Sequence, residues 1–321
     1  MSPFDLVSLG ELLIDFTPVG ISENGNPIFE RNPGGGPANL ACTAAKLGSR
    51  TAFIGKVGHD FFGSALKKIL DDNGVNTDAL VLSDEYKTTL AFVQLDSSGD
   101  RSFSFYRKNG ADTMLRFDEI NLSVLEGCGY FFCSSVLMSE GFSRETSFQM
   151  LQEAKQRKIP VVFDPNLRLN LWESAALAKE SILKALKFAD IVKVSEEELA
   201  FLTDEPDLEK AAEKLSAEYG FQALLVTLGG EGCYVQAGNM KFHVPAFPVK
   251  TVDTTAAGDS FTGGFLYRLI QSGKSISSCT EQELREMVRF ANAVGALTTT
   301  RKGAISALPQ KGEVEQLLNT K

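Results

Sequence analysis

The stretch RETSFQMLQEAKQRKIPVVFDPN, residues 144–166, joins two kinds of segment. Its first part, 144–158, repeats apolar residues at the spacing of an amphipathic helix. Its last part, PVVFDPN (160–166), is a short apolar run of the length of a buried strand. Upstream, GYFFCSS (129–135) is another such run, so the unit reads strand, helix, strand. The pattern continues in both directions. FDLVSLG (4–10), TAFIGKVG (51–58), DIVKVS (190–195) and ALLVTLGG (223–230) read as buried strands. PANLACTAAKLG (37–48), FFGSALKKILDDNG (61–74), ESAALAKESILKALKFA (173–189) and LEKAAEKLSAEYG (208–220) carry helical spacing. Near-continuous apolar strands alternating with helices predict an α/β fold with a doubly wound, mostly parallel sheet and helices on both faces.

Two segments break this rhythm. Residues 12–33 are turn-rich, with Pro18, Gly20, Asn24, Gly25 and Pro27, and residues 88–107 alternate in β fashion around Ser97-Ser98-Gly99-Asp100. Together they predict a small β-sheet standing off the main one as a lid. In an open parallel sheet, ligands bind beyond the carboxyl ends of the strands. That address collects Asp15, the glycines 34–36, Asp164-Pro165-Asn166, Glu198, Thr227-Leu228-Gly229 and the stretch TVDTTAAGDSFTGGFL (251–266).

The 321 residues are 43% apolar and 23% charged, the balance of a water-exposed globular chain with a real core. A net charge of −9 argues against nucleic acid as a partner. Five scattered cysteines without a CxxC pair predict neither a metal knuckle nor a disulfide framework. The start MSPFDLVSLGELLIDF lacks the basic and apolar regions of a signal peptide, and no apolar run is long enough to span a membrane. A reducing cytoplasm is the expected home.

The chemistry concentrates in two places. NPGGGPAN (32–39) puts three glycines before a helix opening at Pro37, so backbone amides can meet a polar ligand, with Asn39 adding a side chain that both donates and accepts. TVDTTAAGDSFTGGFL places small residues and Asp259 at a helix start, where unpaired amides suit phosphate. A Walker motif, a GxGxxG fingerprint and a GxSxG elbow are absent. What remains is a phosphate-shaped turn beside a carboxylate. That is the equipment of phosphoryl transfer, with Ala256, Ala257 and Gly258 as an anion hole and Asp259 beside the acceptor hydroxyl.

GGGPANLA (34–41) and DTTAAGDSFTGGFL (253–266) resemble the two signatures of the ribokinase-like (PfkB) carbohydrate kinases. GELLIDF (10–16), GKVGHDFFG (55–63), FYRKNGAD (105–112), DPNLRLNLW (164–172), KVSEEEL (193–199), LVTLGGEGCYV (225–235) and RKGAISALP (301–309) match in order, and the strings are most similar to fructokinases. The resemblance implies a single Rossmann-like catalytic domain over 1–321, with a lid from about 12–33 and 86–112. It implies transfer of the γ-phosphate of ATP to a sugar hydroxyl, with D-fructose giving fructose 6-phosphate.

Carried over by residue, the resemblance makes Asp259 the catalytic base and Asp15, Gly35, Gly36, Asn39 and Arg107 sugar-binding positions. Asn166 and Arg168 fall near the phosphates, while Lys193, Thr227, Gly229, Gly232 and Asn292 fall on the nucleotide. Glu198 would act on Mg²⁺ through water, with Ser195 standing where the family usually has Asn. Asp253 and Thr255, with carbonyls around Thr298, Arg301 and Gly303, correspond to a K⁺ site. The family usually writes Gly where this chain has Ala256, and a methyl group is accommodated there provided φ stays negative. His59 is expected to be a surface turn residue, Asp60 a helix cap, and Phe103, Phe105, Phe131 and Phe132 core and lid packing. The strand TTLAFVQLD (88–96) admits a homodimer through the lid. Related kinases for 2-keto-3-deoxygluconate, ribose or a nucleoside are the alternatives, followed by a non-catalytic sugar-binding paralogue. A nicotinamide-dependent oxidoreductase fits the α/β rhythm but lacks the glycine fingerprint.

Overall fold

The computed structural model describes residues 4–95 and 101–320. The turn predicted at Ser97–Asp100 lies outside the described residues, as do the side chains of Arg101 and Phe103.

In chain order the first elements are β1 (Leu6–Leu9), β2 (Leu13–Ile21), β3 (Pro27–Gly34), α1 (Gly36–Leu47), β4 (Thr51–Gly58), α2 (Phe61–Asp72) and β5 (Val75–Ser83). Next come β6 (Leu90–Leu95), β7 (Arg101–Tyr106), β8 (Tyr130–Ser134), α3 (Ser143–Gln156), β9 (Val161–Asp164), α4 (Ala175–Leu186) and β10 (Ile191–Ser195). The remainder are α5 (Glu196–Thr203), α6 (Leu208–Tyr219), β11 (Ala223–Thr227), β12 (Cys233–Ala237), β13 (Met240–Val244), α7 (Ala257–Ser272), α8 (Glu281–Thr298) and α9 (Lys311–Asn319).

Nine strands form the main sheet in the order β13-β12-β11-β10-β9-β8-β1-β4-β5, with all strands parallel except β12, which pairs antiparallel with both β11 and β13 near one edge. Its apolar runs are continuous because both faces are covered, and the two-residue period of a strand deals successive side chains to opposite cores. Val7, Leu9, Phe131, Cys133, Val161, Phe163, Val192 and Val194 pack with α3, α4, α5 and α6. Leu6, Phe132, Val162, Ile191 and Leu225 pack on the other side with α1, α7 and α8. The chain leaves β1 toward β4 and β5, then returns to place β8 on the other flank of β1. That reversal is the switch point at which such sheets open a crevice at their carboxyl ends.

The predicted lid is a separate four-stranded sheet in the order β3-β2-β6-β7. β2 pairs parallel with β6, and the two outer pairs are antiparallel. Leu13, Asp15 and Thr17 turn one face to the crevice. The other face is aromatic, with Phe16 stacked on Phe92 at 4.9 Å and set edge-on to Phe62 of α2 at 5.9 Å. Asp60 caps α2, accepting the amides of Phe62 and Gly63, and its second oxygen takes the Thr88 amide just before β6. One carboxylate thereby ties the lid to the main body. His59 sits on the surface, 2.8 Å from Asp84. No helix among the described residues is long and apolar enough to cross a membrane.

Candidate active site

Between the lid and the carboxyl ends of the strands lies a cleft of about 860 Å³. Around it the fold gathers Asp15, Gly35, Gly36, Asn39, Asn166, Arg168, Lys193, Glu198, Thr227, Gly229, Asp253, Thr255, Ala256, Ala257, Gly258, Asp259 and Gly303. Arg107, Gly232, Asn292, Thr298 and Arg301, expected with them, do not line it.

At its centre is the start of α7. Asp259 stands in the first turn, and its carboxylate is gripped from two sides. Asn39 Nδ2 donates to Oδ2 at 2.9 Å and Asn166 Nδ2 donates to Oδ1 at 3.1 Å. Gly36 must be glycine at this point, because a Cβ there would come within 2.3 Å of Asn166 Nδ2 and 3.0 Å of Asp259 Oδ1. Asn39 is buried, and its Oδ1 has no partner among the described residues, an acceptor left open beside the carboxylate. Asn166 reaches its place through a left-handed backbone, φ 45°, with its amide donating to Asp164 Oδ1.

The turn before Asp259 differs from expectation. Ala256 has φ 60° and ψ 8°, so the condition of a negative φ fails. A left-handed alanine costs about 1–2 kcal/mol because its Cβ crowds the following carbonyl. The conformation aims the turn at the cleft nonetheless. Among the described residues the amides of Ala256 and Gly258 have no protein acceptor, while that of Ala257 donates to the Thr254 carbonyl at 3.2 Å.

Lys193 supplies a positive charge at the same spot. Its Nζ would lie 2.9 Å from a Cβ on Gly258 and is 3.1 Å from Asp164 Oδ2. Burial disfavours the ammonium, but the carboxylates of Asp164, Glu198 and Asp259 outweigh it and hold Lys193 above its ordinary pKa. Asp164 itself is pushed up by burial, against the pull of the Lys193 ammonium. Asp15, on β2, is likewise raised by burial to about 6, with Arg168 across the cleft opposing the shift. Gly34 leaves room for it, since a Cβ there would meet Asp15 Oδ2 at 2.2 Å.

Glu198 forms a capping box with Ser195 at the start of α5 and takes the Leu167 amide on its other oxygen. Ser195 thus has a backbone role that accounts for a hydroxyl in its place. Thr227 and Gly229, at the end of β11, border the cleft, and at Gly229 a Cβ would meet nothing. Gly232 and Asn292 are structural here. A Cβ on Gly232 would run into the Val244 carbonyl, and Asn292 Nδ2 donates to the carbonyls of Val244 and Pro245.

Asp253 ties two loops together, accepting the amide and hydroxyl of Thr255 in its own loop on one oxygen and the Gly303 amide on the other. Thr298 turns its hydroxyl to the Val294 carbonyl inside α8, and Arg301 pairs with Glu313 on the surface. It is the carbonyl of Thr299, one residue beyond Thr298, that holds the amides of Val252 and Asp253. No cluster of three or more His, Cys, Asp or Glu side chains with metal-binding geometry occurs among the described residues.

Arg107 departs most from its reading. β7 ends at Tyr106, and the guanidinium turns away from the cleft into the protein, 3% exposed. It donates to Asp112 Oδ2 at 2.8 Å, to Ser139 Oγ at 2.7 Å and to the Val136 carbonyl at 3.2 Å. Asp112 also accepts the hydroxyl of Thr89, the residue before β6. Asp112 therefore joins the start of one lid strand to the end of the next, and Arg107 ties both to the segment that follows β8.

Glu11 was missed. It lines the cleft with its carboxylate almost fully buried, accepting the Gly36 amide at 2.8 Å. Its only signal in the sequence is a charge inside the apolar string GELLIDF.

Comparison with known proteins agrees with this architecture. A family model described as pfkB family carbohydrate kinase matches residues 4–311. The chain is 42% identical over 315 residues to a protein named probable fructokinase-4 of Arabidopsis thaliana, covering 98% of this chain and 96% of that one. It superposes with a TM-score of 0.90 on the fructokinase of Xylella fastidiosa with bound ATP, at 34% identity and covering 98% and 97% of the two chains. A double mutant of the fructokinase of Vibrio cholerae O395, bound to fructose, ADP and a potassium ion, superposes with a TM-score of 0.88 at 33% identity, covering 99% of each chain. A carboxylate held by two amides at a helix start, a lid over it and a family match along nearly the whole chain lead to one assignment: this protein belongs to the pfkB family of carbohydrate kinases and is a sugar phosphotransferase.

Proposed function

We propose that the enzyme is a fructokinase that converts D-fructose and ATP to fructose 6-phosphate and ADP. The observation that carries the mechanism is the double grip of Asn39 and Asn166 on Asp259 beside unpaired amides at the start of α7. Both Asp259 oxygens are held by donors, so its remaining lone pairs are directed for one task. Asp259 takes the proton of the sugar 6-hydroxyl as that oxygen attacks the γ-phosphorus and the bond to the ADP oxygen breaks. Phosphoryl transfer asks the protein chiefly for positioning and charge neutralisation. The amides of Ala256 and Gly258 meet the charge on the phosphoryl oxygens, joined by the Lys193 ammonium. Ala257 can join them once its amide leaves the Thr254 carbonyl.

The open Oδ1 of Asn39 and the carboxylate of Asp15 suit the hydroxyls of a sugar. Arg168 lies where it can reach its phosphate end, and Thr227 and Gly229 border the nucleotide. Mg²⁺, bound with ATP, would neutralise phosphate charge, and Glu198 suits it through water because that ion keeps most of its hydration shell. Asp253, Thr255 and Gly303 form the loop junction that K⁺ would order. The reading extends to a homodimer through the lid, whose strands expose Ile21, Ile28, Phe29 and Tyr106. It places the enzyme in a reducing cytoplasm, which suits five free, buried cysteines.

The test is ADP release over a panel of fructose, ribose, 2-keto-3-deoxygluconate and nucleosides, in potassium and in sodium salts. Fructose giving the highest kcat/KM supports the reading, and another sugar doing so replaces it. Equal rates in both salts remove K⁺.

A further inference from the structure

The proposed mechanism leaves one buried carboxylate of the cleft without a task. Glu11 lies in the turn between β1 and β2, 4% exposed. Its Oε1 accepts the Gly36 amide at 2.8 Å, and its Oε2 lies 3.4 Å from Ser134 Oγ at the end of β8. Gly36 is the first residue of α1. The residue before it, Gly35, has no side chain to cap the helix, and the first turn of α1 carries no acidic residue. A helix start leaves amides unpaired and favours negative charge. Glu11 meets both needs from 25 residues upstream.

The capped helix is the one that holds Asp259. Gly36 packs directly on the pair formed by Asn166 and Asp259, and Asn39, one turn into α1, donates to Asp259 Oδ2. A shift at the start of α1 is therefore passed to Asp259 by two routes. We infer that Glu11 is a positioning residue for phosphoryl transfer, holding the start of α1 so that Gly36 and Asn39 keep Asp259 in place. The inference rests on the kinase reading in which Asp259 is the base.

The hold titrates near neutrality. Burial raises the Glu11 carboxyl to about 7, opposed by its own amide, the Gly36 amide and the charge of Arg107, and reinforced by Asp259. The groups facing it are Arg107 beyond β7, Asp259 on α7, and Cys133 and Ser134 on β8, while α1 presents the Gly36 amide. Above about pH 7 Glu11 is ionised and accepts strongly. Below it the carboxyl is neutral, accepts weakly, and the start of α1 loosens.

The experiment measures kcat/KM for the phosphorylated sugar from about pH 5 to about pH 9 in the wild type, Glu11→Gln and Glu11→Ala. Melting curves at alkaline pH serve as the control for folding. Glutamine can still offer Gly36 an oxygen but does not titrate. We expect the wild type to lose kcat/KM as pH falls through about 7, and Glu11→Gln to lack that limb and turn only near 6, where Asp15 titrates. At alkaline pH, Glu11→Gln should lower kcat about threefold or more and Glu11→Ala about tenfold, with the KM for ATP within about twofold. Amide exchange at Gly36 and Asn39, whose amides donate to Glu11 and to the Gly35 carbonyl, should rise in Glu11→Ala, a readout that needs no turnover. A Glu11→Gln enzyme with the wild-type rate and the same limb, or unchanged exchange in Glu11→Ala, overturns the inference. A wild type that phosphorylates no sugar overturns the kinase reading instead, whatever the exchange shows.

Discussion

Asn39 Nδ2 meets Asp259 Oδ2 at 2.9 Å across 220 residues of chain, joining α1 to α7 at the point where both helices begin. Asn166 completes the grip on the other oxygen. Asp259→Asn would set an amide against these two amide donors while removing the proton acceptor. General-base assistance is typically worth about 10²–10⁴ in rate, so turnover should fall by that factor with sugar and ATP affinities little changed. Steady-state kinetics with binding calorimetry checks this, and turnover within about threefold of wild type would take Asp259 out of the mechanism.

Ala256 should be replaceable to advantage. At φ 60° it occupies a region that glycine enters freely. Relief of the left-handed strain, about 1–2 kcal/mol, exceeds the extra unfolded-state entropy that glycine brings, about 0.5–1 kcal/mol. Ala256→Gly is expected to raise the melting temperature by about 1–3 °C, read by calorimetry. A lower melting temperature would show that the alanine methyl contributes packing that outweighs the strain.

Substitution of Arg107 separates a sugar ligand from a buried anchor of the lid strands. The ion pair with Asp112 is shielded from water on both sides, and removal of one partner leaves a buried charge, which costs about 3–5 kcal/mol. Arg107→Ala should therefore lower the melting temperature by roughly 5–10 °C and loosen the lid, raising the sugar KM as a consequence. An unchanged melting temperature with a raised sugar KM would restore Arg107 as a direct ligand.

Glu198 uses both oxygens for backbone amides, those of Ser195 and Leu167. In Glu198→Gln one of these donors must face an NH₂ group. The variant should need more Mg²⁺ for half-maximal rate and should also lose about 1–3 kcal/mol of stability with the hydrogen bond, seen as a lower melting temperature. An unchanged Mg²⁺ profile beside a lowered melting temperature would leave Glu198 as a helix cap alone.

The order of strands and helices was legible in the sequence because burial on both faces writes itself into each strand as an unbroken apolar run. Val161, Val162 and Phe163 show this, dealt alternately to two cores. The turn at 256–259 was legible too, since small residues before a helix are a local requirement. Other features needed the tertiary structure. A capping carboxylate can come from any part of the chain, so the link from Glu11 to Gly36 leaves no spacing to read. The family resemblance placed Arg107 on the sugar, but β7 ends at Tyr106, and beyond it the buried charge of Asp112 decides where the guanidinium goes. The backbone of Ala256 was not legible either, because alanine ordinarily avoids the positive φ that it adopts before α7. Sequence determined the elements and the chemistry available at their ends. Tertiary structure decided which of those groups face the cleft and which are spent holding it together, because that choice depends on contacts between residues far apart in the chain.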